Sequence, residues 1–554
     1  MRERRKKKRS SRVPDSRNRA HGGSYGRKRQ LLQFVLFTLA AIGAACFIYL
    51  QAKHIVAKDA LYHLRHASLY VSNGPFMKEF PWLTCSVIST YVADIWYGFH
   101  LLFIPFTFIP KALTQAKIAG IFLLTVLLVL LYVVMRREKM TFAFLWPFVF
   151  AFISGPFAGR LTTTRPHILS TGLAALLFSF MIRGSAWPVF LVSAALTFFH
   201  LSFFWLGILI AFTVTLVRLI TERTWELRKP APLLIGLTIG WLLRPNPIGA
   251  AKIAYVQIFL LMLEKQKALL AFGRELYPLK LMPLVSEYGL FALLWLGFAA
   301  ISLIAIYLRR AKLSGGTRIL FWSSLALSTL FFILAVFVSS RAADQWALFG
   351  VILIAAGFTH FLAPRKNILR EGLGRKTRII GTCAAAVVFA CMTWRFVSSP
   401  ELKTGYGLYP YQSRAAAEWL KNNSRPGEIV FHVNWGQFPE LFYWNQHNRY
   451  IGGMDPIFQY AYDKGLYWKA HHLLVGNAVD HTWGTPEAKG TNPEDTYTVI
   501  RRDFKASYIF LEKYRSPALF LHARDNDPRF VRCFDDRRTA IFRLSDVEQM
   551  EPDN

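Results

Sequence analysis

Apolar residues run almost without interruption at several places along this chain, and the runs have a characteristic length. Residues 31–50, 118–135, 319–339 and 377–394 are four of them. As a helix, each is long enough to cross a hydrocarbon core of roughly 30 Å. The polar face that a soluble helix would carry at intervals of three and four residues is missing from them. The pattern therefore predicts a polytopic α-helical membrane domain.

Assigning the basic loops 136–139, 218–229, 309–318 and 365–378 to one side, with the N-terminus, gives about 11 crossings. They fall near 31–51, 116–135, 141–158, 167–183, 187–200, 201–219, 231–243, 286–308, 319–339, 343–362 and 377–396. The first reads as a retained signal anchor, because no small-residue cleavage site follows it. This arrangement places the N-terminus in the cytoplasm and the C-terminal region outside, in a cell (inner) membrane protein. Two long segments, 52–115 and 244–285, become outer loops. The stretch 94–110 reads as a helix lying in the outer leaflet, since Asp94, Pro105 and Pro110 interrupt it. An amphipathic helix is expected near 250–270.

From about residue 397 the pattern changes. Helices are expected at 413–422, 438–444, 456–472 and 517–523, alternating with strands at 428–433, 449–451, 507–511, 530–534 and 540–544. Such alternation predicts a small soluble α/β domain. The domain reading is a basic cytoplasmic tail (1–30), a transmembrane domain (31–396) and an extracytoplasmic α/β domain (397–554).

Charge sharpens this picture. The 554 residues carry 66 Lys+Arg against 33 Asp+Glu, a net +33. Much of the excess lies in the first 30 residues, including the block Arg4–Arg9, and in short loops between apolar runs. That is the footprint of positive-inside topology and attraction to membrane lipids, and no nucleic-acid partner is expected. The five cysteines form neither a CxxC pair nor an even framework, so neither a disulfide scaffold nor a zinc site is implied.

The segment after the first run, 58–67 (KDALYHLRHA), holds the densest candidate chemistry. On a helix, Asp59, Tyr62, His63 and His66 share a face. A carboxylate there can act as general base on a hydroxyl, and imidazole or guanidinium can hold a phosphate. The same residues also suit a solvated interface. His63, Arg65, Arg160, Arg165, His167, His200, Arg244 and Arg341 all fall at the outer ends of spans. Their convergence would suit an anionic headgroup, and their separate snorkelling would not. In the C-terminal domain, Trp435, Asp455 and Tyr460 lie in aromatic, turn-rich segments at strand ends, where a sugar could stack and hydrogen-bond. No phosphate-cradling glycine loop and no nucleophile elbow is present.

The segment Asp59-x-x-Tyr62-His63-Leu64-Arg65, with Phe80-Pro81-Trp82 downstream, resembles the first outer loop of oligosaccharyltransferase catalytic subunits. More broadly it resembles the GT-C superfamily of membrane glycosyltransferases. The resemblance implies a GT-C-like fold and transfer of a sugar from a polyprenyl-phosphate-linked donor to an extracytoplasmic acceptor. It implies Asp59 as the catalytic base, with His63, Arg65, Arg160, Arg165, His167 and Arg341 around the donor phosphate. Trp435 and Asp455 are candidates for binding the acceptor, whose identity stays open. Oligosaccharyltransferases hold a divalent metal with acidic residues of the second outer loop. Here that loop, 159–165, has no carboxylate, so no metal ligand is assigned and the cofactor is unknown. The alternatives are a transporter or flippase of a lipid-linked or anionic solute, and a non-catalytic relative of the superfamily.

Overall fold

The computed structural model describes residues 16–51, 54–55, 57–226, 228–265, 267, 270–307, 313–362, 375–398, 410–477 and 479–545. The Arg4–Arg9 block lies outside them, as do parts of the basic loops 309–318 and 365–378 and most of the junction near 397.

The long apolar runs are helices: α1 (Ser16–Gln51), α2 (Asp59–Asn73), α3 (Tyr97–Phe103), α4 (Ala112–Arg137), α5 (Gly155–Leu161), α6 (Pro166–Arg183), α7 (Ala186–Phe199), α8 (Phe204–Glu222), α9 (Pro230–Leu242), α10 (Leu281–Tyr307), α11 (Gly315–Phe337), α12 (Ala343–Gly357) and α13 (Arg375–Val397). Among the described residues, eight helices are long and apolar enough to cross a membrane. One of the eight is Pro247–Lys265, the helix expected to be amphipathic and outside. The segment Tyr97–Phe108 is helical but too short to cross. Ser340–Phe361, which contains α12, is 94% buried and forms the centre of the bundle, whereas only 22% of α1's span is covered.

One expected span is not a single helix. Residues 141–158 break into Trp146–Ala151 and α5. Ser154 caps α5 by accepting from the Phe157 amide at 3.2 Å, and Pro156 suits a helix start but not a helix interior. The break turns Arg160 toward the centre of the bundle.

α7 and α9 approach backbone to backbone. A Cβ on Gly240 would lie 2.1 Å from the Ala194 carbonyl oxygen, and one on Gly236 2.4 Å from that of Phe190. Only glycine permits this contact, which follows the small-xxx-small packing of membrane helices. Thr197 adds a hydrogen bond of 2.9 Å to the Leu237 carbonyl.

A cluster of basic residues marks the end of the bundle where α6 stops. Arg137 donates to the Arg183 carbonyl at 3.0 Å, Arg218 to Ile182 at 3.0 Å and Lys229 to Met181 at 2.9 Å. Cations on the last carbonyls of α6 complement its dipole. Asp59 and the start of α6 lie at the opposite end.

The C-terminal region forms a five-stranded mixed sheet. Its strands are β1 (Ile429–His432), β2 (Arg449–Tyr450), β5 (Ala506–Glu512), β6 (Phe530–Asp535) and β7 (Thr539–Leu544), in the order β2-β1-β5-β7-β6. β1 runs parallel to β2 and β5, and β7 is antiparallel to β5 and β6. A small separate ladder, β3 (His481–Thr482) with β4 (Glu494–Asp495), completes the set. The helix expected over 456–472 is two helices, Pro456–Tyr462 and Lys464–Val475. Asp463 ends the first and caps the second, accepting from the Leu466 amide at 2.8 Å.

This region is fastened to the segment that carries Asp59. Residues 82–85 pair with the sheet edge: Tyr450 donates to the Trp82 carbonyl, Thr84 to Tyr450 and Cys85 to Ile451, at 2.8, 2.8 and 3.0 Å respectively. The helix α14 (Phe438–Trp444) packs on α2. Lys58, the residue before α2, is buried against Glu440 of α14 at 2.6 Å and Glu512 at 3.6 Å.

Candidate active site

Between the Asp59 end of the bundle and the C-terminal region lies a cavity of about 420 Å³. Asp59 and His63 reach it from α2, Arg160 from α5, and Arg165 and His167 from the start of α6. Arg341 and Asp344 come from the start of the central helix, and Asp455 from the C-terminal region. Its flank is apolar, with Phe203, Trp205, Leu261, Phe331 and Leu334. Seven of the nine residues singled out in the sequence thus meet in one place.

The cations do not form a bare positive surface. Arg165 pairs with Asp59 at 2.7 Å and with Glu275 at 3.2 Å. Arg341 reaches the same Glu275 oxygen at 2.9 Å. Arg160 forms a two-pronged pair with Asp344, with both bonds at 2.8 Å. Three guanidiniums are therefore met by three carboxylates, and such forked pairs hold their partners in a fixed plane. Burial alone would raise the Glu275 carboxyl, but Arg341 and Arg165 beside it hold it well below the usual carboxylate range. Asp455 behaves in the opposite way. Burial lifts its carboxyl to about 6, against the pull of Arg341. Its side chain also caps Pro456–Tyr462, accepting from the Ile457 amide at 3.2 Å.

Two expected site residues lie elsewhere. Arg65 is absent from the cavity lining; its guanidinium lies 4.8 Å from the centre of the Tyr443 ring and donates to the Tyr443 carbonyl. It points to the opposite side of α2 from Asp59 and joins that helix to α14. Trp435 lines a separate small pocket with His432, Tyr467 and His471. Of the further candidates, Tyr460 donates to Glu264 at 3.1 Å. Arg244 holds the carbonyls of Trp241, Asp94 and Thr197 at 3.0, 2.9 and 2.6 Å, a helix-end role. His200 does line the cavity, with Nδ1 2.9 Å from the Ser170 hydroxyl.

Glu275, Asp344 and Trp96 are cavity or cavity-edge residues that the sequence reading passed over. Asp344 carries a usable signal: it is an acid in an apolar helix, three residues after Arg341, where an uncompensated charge would be costly. Glu275 gives no such sign in its loop.

Among the described residues, one trio of donors lies close enough to share a metal ion: His66, Asp94 and His100, with donor atoms within 4.8 Å of one another. Its geometry does not suit an ion. The two imidazoles are stacked, with centroids 4.2 Å apart and 12° between their planes. A metal-bound imidazole holds the ion in its own plane at about 2.0–2.1 Å, and two stacked planes share no such point. In the cavity, the space between Asp59 and Glu275 is filled by the Arg165 guanidinium.

No family model and no curated protein matches the sequence. Solved structures do match the fold. ArnT from Cupriavidus metallidurans bound to undecaprenyl phosphate aligns over 93% of this chain and 98% of its own, with a TM-score of 0.53 and 12% identity. Arabinofuranosyltransferase AftD from Mycobacteria aligns over 92% of this chain and 41% of its own, with a TM-score of 0.55 and 13% identity. At this identity the likeness is one of fold: the chain, with its multi-helix membrane bundle and C-terminal mixed sheet, has the fold of these proteins, in agreement with the GT-C-like fold that its sequence resemblance implies.

Proposed function

We propose that the chain is a membrane glycosyltransferase that moves a sugar from a polyprenyl-phosphate-linked donor to an acceptor hydroxyl. The observation that carries this reading is the meeting of Asp59 with Arg160, Arg165 and Arg341 in one cavity whose flank is apolar. A phosphate fits the guanidiniums, and a polyprenyl chain fits the flank. The bound phosphate of a structural neighbour, ArnT, supports the same donor class.

In this reading Asp59 takes the acceptor proton while the acceptor oxygen attacks C1 of the sugar. The C1–O bond to phosphate breaks on the opposite face, so the anomeric centre inverts. The departing phosphate gains negative charge, and Arg165 and Arg341 stabilise it as it forms, exchanging Glu275 for the substrate. Arg160, locked by Asp344, borders the same space, and His167 donates from the start of α6. Asp455 borders the cavity from the side of the C-terminal region and orients the acceptor. The basic end of the bundle faces the cytoplasm, which puts the cavity and the C-terminal domain outside, away from nucleotide sugars.

The test is sugar transfer by the purified chain from a panel of polyprenyl-phosphate sugars. Asp59→Asn is expected to abolish transfer while the protein still reaches the membrane and folds. Full activity in that variant would remove Asp59 from the mechanism.

A further inference from the structure

Behind the cavity wall lies a chain of polar groups that the transfer just described leaves unused. His63 Nδ1 is 2.8 Å from His100 Nε2, and His100 Nδ1 is 2.5 Å from Asp94 Oδ2. His63 and His100 are 2% and 0% exposed, and the Asp94 side chain is 8% exposed. Asp94 is held from other directions as well. Its Oδ2 accepts from the Tyr70 hydroxyl at 2.6 Å, and its Oδ1 from the Trp96 amide at 2.8 Å.

These bonds decide the tautomers. A carboxylate can only accept, so His100 carries its hydrogen on Nδ1 and presents a lone pair at Nε2. His63 must then donate from Nδ1. That leaves Nε2 of His63 as a bare lone pair, on a ring that lines the same cavity as Asp59. Asp59 stands four residues earlier, one turn away on the same helix face.

We infer that His63 Nε2 receives the acceptor's proton from Asp59, and that His100 and Asp94 are positioning residues that set its tautomer and balance its charge. This rests on the function proposed above and adds a residue to it. The acceptor O–H bond breaks as O–C1 forms, and the C1–O electrons leave with the phosphate. The proton passes from Asp59 to His63 Nε2, which restores the Asp59–Arg165 pair. The imidazolium so formed donates from Nδ1 to His100, whose own N–H faces the Asp94 anion. It gives its proton to water as the product leaves.

Other groups around the ring agree with this. The titratable groups around His63 are Asp59, Tyr62 and His66 on its own helix, His100 and Asp94 from the next segment, and Arg165 across the cavity. Burial first, and His100 second, push its ring well below the ordinary histidine range, so the resting ring is neutral, while the Asp94 anion acts in the opposite sense and favours the imidazolium when it forms. Burial would raise the Asp94 carboxyl, but His100 and His66, with the bonds from His100 and Tyr70, keep it ionised.

The experiment measures transfer by the purified full chain from a polyprenyl-phosphate sugar across pH, for wild type, Asp59→Asn, His63→Gln and Asp94→Asn. His63→Gln is expected to lower kcat by about 100-fold or more, with the donor KM held within about twofold. Asp94→Asn is expected to lower kcat and to move the acid limb of its pH profile to lower pH, because the imidazolium has lost its counter-charge. A purely structural role for Asp94 would lower the thermal midpoint and leave that limb in place, which overturns the inference. If Asp94→Asn does not fold, His63→Gln decides alone: kcat within about twofold of wild type overturns it. One equivalent of metal in the purified protein, with activity lost on chelation and restored by zinc, overturns it too. A wild type that transfers no sugar from any donor removes the parent reading and this one together, whereas an active wild type, a dead Asp59→Asn and unaffected His63 and Asp94 variants remove only this one.

Discussion

Removing the Lys58 ammonium should loosen the C-terminal region from the membrane bundle. Its nitrogen is 2.6 Å from Glu440 and 3.6 Å from Glu512, and the side chains of Lys58 and Glu440 are 7% and 0% exposed. Glu512 has a second partner, Arg515 at 2.8 Å, while Glu440 also accepts from the neutral Ser413 amide at 2.6 Å. Lys58→Met therefore leaves the buried Glu440 carboxylate without its paired cation. Breaking a buried pair from one side costs about 3–5 kcal/mol, because the remaining charge stays desolvated. Lys58→Met combined with Glu440→Gln should recover most of the loss, since the amide needs no counter-charge. Denaturant unfolding of the purified protein in detergent supplies the four corners of the cycle, and a coupling of about 2 kcal/mol or more is expected. Lys58→Met should also lower kcat, because Asp59 is the next residue. Burial alone would lower the lysine's pKa, but Glu440 and Glu512 outweigh it and raise it. The pair's contribution is therefore full below the unfolded lysine value and is lost only as pH climbs through the higher folded one. Between pH 6 and 9 the Lys58 effect should be flat. A loss under about 1 kcal/mol, with no coupling, would refute the argument.

Arg65→Ala removes the stack on Tyr443 and a bond to its carbonyl, so a loss of about 1–3 kcal/mol is expected in the unfolding assay with donor KM unchanged; a raised donor KM would place Arg65 back in the phosphate site. Gly240→Ala drives a methyl into the Ala194 carbonyl and should cost about 1–3 kcal/mol, read as a lower thermal midpoint, and no change would refute the close approach of α7 and α9. The Asp455 carboxyl has its folded pKa raised to about 6 from 3.8, so stability falls as pH rises between those values and is level above. Asp455→Asn keeps the helix cap and should flatten that fall; an unchanged pH–stability curve would show that Asp455 is solvated.

The membrane bundle was legible from the chain alone because the bilayer imposes a length and an apolarity on each crossing, both readable from local sequence. The five strands of the main sheet and most helices of the C-terminal region were legible for the same local reason, whereas the β3–β4 ladder was not foreseen. The broken span at 146–161 was not: hydropathy registers Pro147, Ser154 and Pro156 only weakly, while they set the helix starts. The Asp59 face of α2 followed from helical periodicity, and so did its proximity to His63. Which residues face it across the cavity is a property of chain segments a hundred or more residues apart. Arg165 pairs with Asp59, and Glu275 and Asp344, which the sequence reading passed over, neutralise the cations. Arg65, six residues beyond Asp59 and on the other side of the helix, packs on Tyr443 instead. Residue type and periodicity thus determine which groups can do chemistry at this membrane surface. Only packing decides which charges are paired, since pairing depends on distances that no local pattern encodes.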